Sequence, residues 1–254
     1  MANLLGSFVW YDQMSNDLRG AEAFYTKVAG WTLAPNMMND QPYSLLQAGK
    51  TAVGGLMPIP AEAKGAPAMW MGYIAVDDVK AYAGKAKAAG GMIHRDPAEI
   101  PNVGTFAVAG DPTGAGFVLF KGNSAEAPPL DWQSEGHIGW HELHAGDANK
   151  AFDFYAGLFN WKRGEAFDMG PMGKYQLFTT QGGQGGGMMT KTANMPMPSW
   201  LYYINVEAID AAAERVKAAG GKVLNGPMEV PGGTWTLQAL DPQGAMFALA
   251  APKR

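Results

Sequence analysis

The chain has 254 residues, of which 47% are hydrophobic and 17% charged, and its formal net charge is −4. These proportions are typical of a globular protein, and without a cluster of Lys or Arg they exclude the basic surface that nucleic-acid binding requires. The absence of cysteine excludes disulfides, thiolate metal sites and thiol nucleophiles, and no apolar run reaches the roughly 20 residues that cross a bilayer.

The chain begins with MANLLGSFVW, which lacks the charged and long apolar regions of an export signal, so we predict a cytoplasmic protein without a membrane partner. A strand is predicted at Trp10. An amphipathic helix follows Asp17, with apolar residues such as Leu18 and Tyr25 at helical spacing. Short β-rich runs come next, among them YSLLQAG and TAVGGLMPI. This first motif, at roughly residues 5–60, is therefore predicted to be a strand, a helix and three strands.

The same order of elements recurs three times further along the chain. These motifs occupy roughly residues 69–121, 135–190 and 199–251, and their helices are expected to open at Asp77, Asp147 and Glu207 respectively. Between the second and third motifs, residues 123–135 are polar, rich in Pro and Gly, and without periodicity. We predict that they form a linker.

An offset of 130 residues aligns the second half of the chain with the first. DPTGAGFVL at 111–119 falls on DPQGAMFAL at 241–249, and, after a local shift of two residues, Tyr43 and Gly54-Gly55 match Tyr175 and Gly186-Gly187. The chain is one duplicated domain, with copies predicted at 1–122 and 136–254. The copies are expected to pair as two single-domain chains do, so a monomer should be viable, although further association remains open.

Three short sequence patterns accompany the four βαβββ motifs. These patterns are AFYxxxxGW at the end of the first helix, YIxVxxxxA at the start of the second motif and DPxGxxFxL on the last strand of that motif. In its four motifs and in these three patterns the chain resembles the vicinal oxygen chelate superfamily. This superfamily includes glyoxalases, bleomycin-resistance proteins and extradiol dioxygenases. The resemblance covers nearly the whole chain. It implies an α+β fold of tandem glyoxalase-like domains, in which the two motifs of each domain form curved mixed sheets, or half-barrels, around a cavity.

Metal-using members of this superfamily take ligands from four strands of the domain. The matching positions hold side chains that do not ligate divalent cations: Trp10, Met71, Val118, Trp140, Leu201, Ala248 and the fourth-strand stretches 53–57 and 185–189, which contain only Val, Gly, Leu and Met. We therefore expect no cofactor, no metal at these positions and no lactoylglutathione lyase activity. The fourth-strand glycines are expected to permit close backbone approach and, with no bulky ligand-bearing side chain, to widen the cavity.

The stretch HIGWHELH at 137–144 places three histidines and a glutamate in eight positions. Alternation along a strand puts Trp140, Glu142 and His144 on one face and His141 on the other, which argues against a three-histidine metal site. A carboxylate beside an imidazole can move a proton to or from a carbonyl compound, so Glu142 and His144 are the candidate catalytic residues. A divalent metal would need an unorthodox ligand set that includes this pair.

Further ligand-binding candidates are expected to face the two cavities. They are Trp10, Asp12 and Tyr73 in the first copy and Trp140, Tyr203 and Asn205 in the second. Tyrosine hydroxyls can orient a polar ligand, but the rings can equally be core. Asp12 and Glu142 can also cap backbone or pair with a nearby cation.

The sequence thus predicts a glyoxalase- or bleomycin-resistance-like protein that binds a small aromatic or carbonyl-bearing molecule in a half-barrel cavity, without the superfamily's metal. One alternative is an enzyme of the same superfamily, a lyase, isomerase or dioxygenase-type oxygenase, with Glu142 as base. Another is a protein-interaction or structural role without a ligand.

Overall fold

The computed structural model of the chain describes residues 4–38, 41–124, 131–193 and 195–254. Of the predicted linker at 123–135, residues 125–130 lie outside the described part. Among the described residues, no helix is both long enough and apolar enough to span a membrane.

Sixteen strands and four helices are described. The first half of the chain contains β1 (Phe8–Ser15), α1 (Leu18–Ala29), β2 (Thr32–Met38), β3 (Gln41–Ala48), β4 (Thr51–Pro58), β5 (Met69–Ala75), α2 (Val79–Ala88), β6 (Met92–Ile100), β7 (Gly104–Gly110) and β8 (Gly116–Gly122). The second half contains β9 (Ile138–Ala145), α3 (Ala148–Phe159), β10 (Lys162–Asp168), β11 (Lys174–Thr179), β12 (Gly185–Thr190), β13 (Ser199–Asn205), α4 (Ile209–Ala218), β14 (Lys222–Glu229), β15 (Trp235–Leu240) and β16 (Met246–Ala251). The predicted order of strand, helix and three strands is confirmed for all four motifs.

Aspartate side chains cap three of the four helices. Asp17 accepts a hydrogen bond from the backbone N–H of Gly20 at the start of α1, and Asp147 caps α3 in the same way. The cap of α2 is Asp78, so the prediction of Asp77 is wrong by one residue. A carboxylate at this position satisfies N–H groups that have no partner within the helix.

The fourth helix does not begin at an acidic cap, contrary to the prediction for Glu207. Ala208 is the residue before α4, and its side chain makes no capping hydrogen bond. The Glu207 carboxylate instead accepts a hydrogen bond from the Lys253 ammonium at 2.9 Å, and this contact lowers the pKa of Glu207.

The strands form two eight-stranded mixed sheets, which confirms the predicted α+β class. Their orders are β2-β3-β4-β1-β5-β8-β7-β6 and β10-β11-β12-β9-β13-β16-β15-β14. The first and last strands of each motif pair in parallel. In this register Asp12 on β1 lies beside Gly55 on β4, and Glu142 on β9 lies beside Gly187 on β12.

The residues group into two compact units, and each unit takes segments from both sequence copies. The first unit comprises the described residues of Met1–Trp10, Met71–Leu130 and His141–Trp200. The second comprises those of Tyr11–Trp70, Asp131–Trp140 and Leu201–Arg254.

An aromatic cluster forms the core of the first compact unit. Phe117 meets the Tyr155 ring edge-on at 5.4 Å between centroids, and Trp161 stacks on Phe178 at 4.5 Å. The indole N–H of Trp161 donates to the carbonyl of Gly6 at 2.6 Å. Buried indoles usually find such a partner. Trp161 therefore fills space in the core and also holds the Gly6 backbone by a hydrogen bond.

The core of the second compact unit contains a hydrogen-bonded polar network around Asp241. The Tyr25 hydroxyl donates to Oδ2 of Asp241 at 2.9 Å and accepts from the Trp70 indole at 2.8 Å. The Gln13 amide donates to the same carboxylate oxygen at 3.2 Å. Burial raises the pKa of Asp241, although its hydrogen bonds act in the opposite direction.

Candidate functional site

Glu142 and His144 lie together on β9 in the first compact unit. Nε2 of His144 is 2.7 Å from Oε1 of Glu142, and the two side chains are 8% and 9% exposed respectively. Neither ring nitrogen of His144 has an aligned hydrogen bond among the described residues. Nε2 therefore contacts the carboxylate at close range without hydrogen-bond alignment, and Nδ1 is buried with no hydrogen-bond partner among the described residues.

The other oxygen of Glu142 binds a tyrosine from β11. The Tyr175 hydroxyl donates to Oε2 at 2.9 Å. Its ring lies over Gly187, where an added Cβ would overlap the ring carbons and the hydroxyl oxygen. The expectation that this glycine widens the cavity is wrong, because the tyrosine ring fills the space.

The first copy repeats the carboxylate–phenol pair in the second compact unit. The Tyr43 hydroxyl donates to Oδ1 of Asp12 at 2.7 Å, and both residues are buried. Gly55 lies under the Tyr43 ring just as Gly187 lies under Tyr175. Met14 stands at the position that corresponds to His144, so the copies differ at the imidazole.

His141 lies apart from the carboxylate, as strand alternation predicts. Its fully buried ring stacks on Phe8 with centroids 4.3 Å apart, and Nδ1 is 3.2 Å from the carbonyl oxygen of Gly185. Burial lowers the pKa of His141 to about 3, with a smaller opposing effect of the Gly185 carbonyl. His141 is a neutral core residue of the first compact unit.

Trp140 and Tyr203 meet in the second compact unit. The half-buried Trp140 packs against Leu201, Tyr203 and Ala248. The Tyr203 hydroxyl accepts a hydrogen bond from the Gln238 amide at 3.1 Å. This cluster contains two predicted ligand-binding residues and the two side chains at superfamily ligand positions on β13 and β16.

The other three predicted residues have separate surroundings. The half-buried Tyr73 meets the Phe120 ring edge-on at 5.7 Å, and Trp10 is also half-buried. The Asn205 amide donates to the backbone carbonyls of Trp132 and Ser134, at 3.0 and 3.2 Å. Asn205 therefore holds the backbone of Trp132 and Ser134 in place.

The side chains do not fit the superfamily's metal. The ligand positions carry indole, thioether and alkyl groups, and the fourth-strand stretches contain only Val, Gly, Leu and Met, with Gly55 and Gly187 under tyrosine rings. In the described part of the chain, no three His, Asp or Glu side chains lie close enough together to hold an ion. The expectation that the protein works without metal stays a prediction.

A groove of about 390 Å³ lies elsewhere, on the surface beside α4. It is open to solvent and is lined by Asp210, Ala211, Ala213, Glu214, Lys217 and Pro227. None of the predicted site residues contributes to it.

Sequence reasoning missed Tyr175 as a member of the site, and it missed Tyr43 as the partner of Asp12 in the first copy. The sequence carries a signal for them, because in each copy the tyrosine stands 12 residues before the glycine that it covers. A bulky ring and a glycine at a fixed separation across two antiparallel strands indicate a side chain lying over the neighbouring strand.

We expect Gly187→Ala to lower the free energy of unfolding by about 1 kcal/mol, because the new methyl group displaces the Tyr175 ring and breaks its hydrogen bond to Glu142. The control is Gly157→Ala, in the last turn of α3, where an added Cβ meets nothing within 4 Å. That change should stabilise the chain by about 0.5–1 kcal/mol, since alanine favours helix. Urea unfolding measures both variants, and a neutral Gly187→Ala would contradict the role of the glycine.

The model of the Glyoxalase/Bleomycin resistance protein/Dioxygenase superfamily matches residues 7–119 and 136–249 of the chain. A Mycobacterium tuberculosis protein named "Putative glyoxylase CFP32" is 30% identical over 250 residues, which cover 96% of this chain and 94% of that protein. The anthracycline biosynthesis protein DnrV of Streptomyces peucetius is 27% identical over 262 residues, 96% of this chain and 92% of that one.

Solved structures show the same fold at low sequence identity. The Mn(II)-bound glyoxalase from Novosphingobium aromaticivorans aligns with a TM-score of 0.64 at 16% identity, covering 98% of this chain and 82% of that one. The 2,2',3-trihydroxybiphenyl 1,2-dioxygenase of Sphingomonas wittichii strain RW1 aligns with a TM-score of 0.65 at 13% identity, covering 96% and 89%. These likenesses concern the fold.

Proposed function

The chain belongs to the glyoxalase/bleomycin resistance protein/dioxygenase superfamily, and from its own side chains we propose that it binds a small aromatic or carbonyl-bearing molecule beside Glu142 and His144, without the superfamily's metal. The observation that carries the proposal is the buried Glu142–His144 pair with its half-buried partner Tyr175, in which neither imidazole nitrogen has an aligned hydrogen bond among the described residues. A few converging polar groups in apolar surroundings are typical of small-molecule sites.

The chemistry of the cluster supports recognition of an oxygen-bearing ligand. A buried polar atom without a partner is unfavourable, so a ligand group that bonds to Nδ1 of His144 gains more there than it would at the surface. Met189, the neighbour of His144 across β12 and β9, is buried and offers an apolar contact beside the polar one. The names of the relatives, a glyoxylase and an anthracycline biosynthesis protein, support a small organic ligand.

The proposal keeps four further expectations from the sequence. The chain acts as a viable monomer in the cytoplasm, it needs no cofactor, and it is not a lactoylglutathione lyase. Glyoxalase chemistry of that kind uses a Lewis acid to hold the enediolate oxygens, and the side chains at the superfamily positions cannot bind one.

One observation favours a second candidate function, an enzyme of the lyase or isomerase type. Nε2 of His144 is 2.7 Å from the Glu142 carboxylate, a separation at which two groups can share and pass on a proton. In that case the cluster would move a proton on a bound carbonyl compound as well as bind it.

Calorimetric titration of aromatic and α-keto compounds tests the proposed function. Glu142→Gln and His144→Ala are each expected to weaken binding of a screened ligand about tenfold or more, because each leaves a buried polar partner unpaired. His141→Phe is the control, since His141 packs against Phe8 away from the carboxylate, and its affinity should match the parent within about twofold.

Two results would contradict the proposed function. Equal affinities for the parent chain and both site variants would place binding elsewhere. Stoichiometric Zn, Ni or Fe in the purified protein, lost together with binding on chelation, would overturn the metal-free part of the proposal.

A further inference from the structure

We propose that Nδ1 of His144 is the proton-accepting atom of this site, that Glu142 and Tyr175 are positioning residues for it, and that only the second copy of the duplicated domain does this work. The inference rests on the proposed function, and it changes the assignment of the base from Glu142 to the imidazole. It also specifies the ligand chemistry, because the bound molecule must present a hydroxyl group that can give up its proton.

The Glu142 carboxylate determines which ring nitrogen accepts. Oε1 lies 2.7 Å from Nε2, and a negative charge at this distance favours the imidazole proton on Nε2. The lone pair then resides on Nδ1. That atom is buried and has no hydrogen-bond partner among the described residues, so it is the atom at which a ligand hydroxyl gains most.

Tyr175 keeps the carboxylate itself from acting as the acceptor. Its hydroxyl donates to Oε2 at 2.9 Å, while Oε1 faces the imidazole. Both carboxylate oxygens are therefore engaged, Oε2 by the phenol and Oε1 by the imidazole. Gly187 permits this arrangement, because any larger residue there would displace the tyrosine ring.

The proton balance of the proposed step is simple. The O–H bond of the ligand breaks and an Nδ1–H bond forms, so the ligand oxygen becomes negative and the imidazole becomes an imidazolium. The Glu142 carboxylate lies beside the new positive charge and offsets it. No electron transfer and no other reactant are required.

The first copy provides an internal comparison. Asp12 and Tyr43 reproduce the carboxylate and the phenol at 2.7 Å, with Gly55 under the ring. Met14 stands where the second copy has His144, and its register partner on β4 is Met57. A thioether does not accept a proton under these conditions, so the first copy has the positioning groups without the acceptor.

The test uses p-nitrophenol, whose phenolate absorbs visible light while its phenol form does not. In buffer acidic enough to keep the free compound as phenol, the parent chain should produce a saturable phenolate band with about one site per chain. The methyl ether p-nitroanisole has the same ring and no acidic proton. p-Nitroanisole is expected to bind at least about tenfold more weakly than p-nitrophenol.

Side-chain variants separate the roles of the residues. His144→Gln should abolish the phenolate band, and Glu142→Gln should reduce it about tenfold. Tyr175→Phe removes one oxygen atom and should reduce the band about threefold or more, whereas its counterpart Tyr43→Phe should leave it unchanged. Circular dichroism and urea midpoints establish that each variant is folded. If the substitutions at 142 and 144 prevent folding, the comparison of Tyr175→Phe with Tyr43→Phe tests the inference instead.

The outcomes distinguish this inference from the proposed function. If p-nitrophenol binds as neutral phenol, or if p-nitroanisole binds equally well, the inference is overturned and the proposed function is retained. Loss of the band in Tyr43→Phe, or two sites per chain, overturns the restriction to the second copy. If neither probe binds while another screened compound does so through Glu142 and His144, the inference alone is overturned. If no compound binds, both are overturned.

Discussion

Replacing Asp241 by asparagine is expected to lower the free energy of unfolding by about 3 kcal/mol. Oδ2 of this buried carboxylate accepts from the Tyr25 hydroxyl and from the Gln13 amide. An asparagine that keeps the turn contacts of Oδ1 would present an N–H group to these two donors. The Tyr25 hydroxyl cannot become the acceptor without cost, because it already accepts from the Trp70 indole.

The matched control is Asp111→Asn, at the same place in the first copy. Oδ1 of Asp111 accepts from Gly114 and Ala115 in its own turn, and asparagine can keep these bonds. Oδ2 has no hydrogen-bond partner among the described residues, so an amide there meets no opposing donor. The expected cost is under about 1 kcal/mol. Urea unfolding compares the two variants, and equal losses would show that the Asp241 network contributes nothing.

Acidification from about pH 7.5 to about pH 5 is expected to remove about 2 kcal/mol of stability through His141. Burial lowers the pKa of His141 to about 3, against 6.5 for the ordinary side chain. Between these two values the unfolded chain binds a proton that the folded chain does not. Stability contributed by the neutral imidazole is therefore complete above about pH 6.5 and declines as the pH falls toward about 3.

His141→Phe should remove this pH dependence, because the new ring keeps the stacking on Phe8 and cannot be protonated. The variant should be slightly less stable at neutral pH, by about 1 kcal/mol, through loss of the contact with the Gly185 carbonyl. The exposed His94 serves as the control, and His94→Gln should retain the parent's pH response. Chemical unfolding at both pH values measures the difference, and an unchanged response in His141→Phe would contradict the assignment.

Local rules were sufficient for much of the fold and for part of the site. The repeat at 130 residues and the motifs around Trp31 and Asp111 predicted four βαβββ motifs, and all four are present. Alternation along β9 correctly separated His141 from Glu142 and His144, because neighbouring side chains on a strand point to opposite faces. The prediction of a helix cap failed where two acidic residues adjoin, because α2 is capped by Asp78 and not by the predicted Asp77.

The contacts of Glu142 could not be predicted from its neighbours in sequence. Tyr175 is 33 residues away and reaches the carboxylate only because β11, β12 and β9 pair in one particular register. Gly187 then decides whether the ring can lie across the intervening strand. Strand register and the space above a glycine depend on pairing between distant segments, whereas periodicity reports only which face a residue occupies.

Each of the two compact units takes segments from both halves of the chain. Phe117 packs against Tyr155 in one unit, and Phe24 meets the Phe247 ring at 5.5 Å in the other, so each core joins residues from before and after the linker. A protease cut between residues 123 and 135 would leave no fragment with a complete core. The two halves of the chain therefore complete each other's cores, and their covalent connection raises the effective concentration of one half for the other during folding.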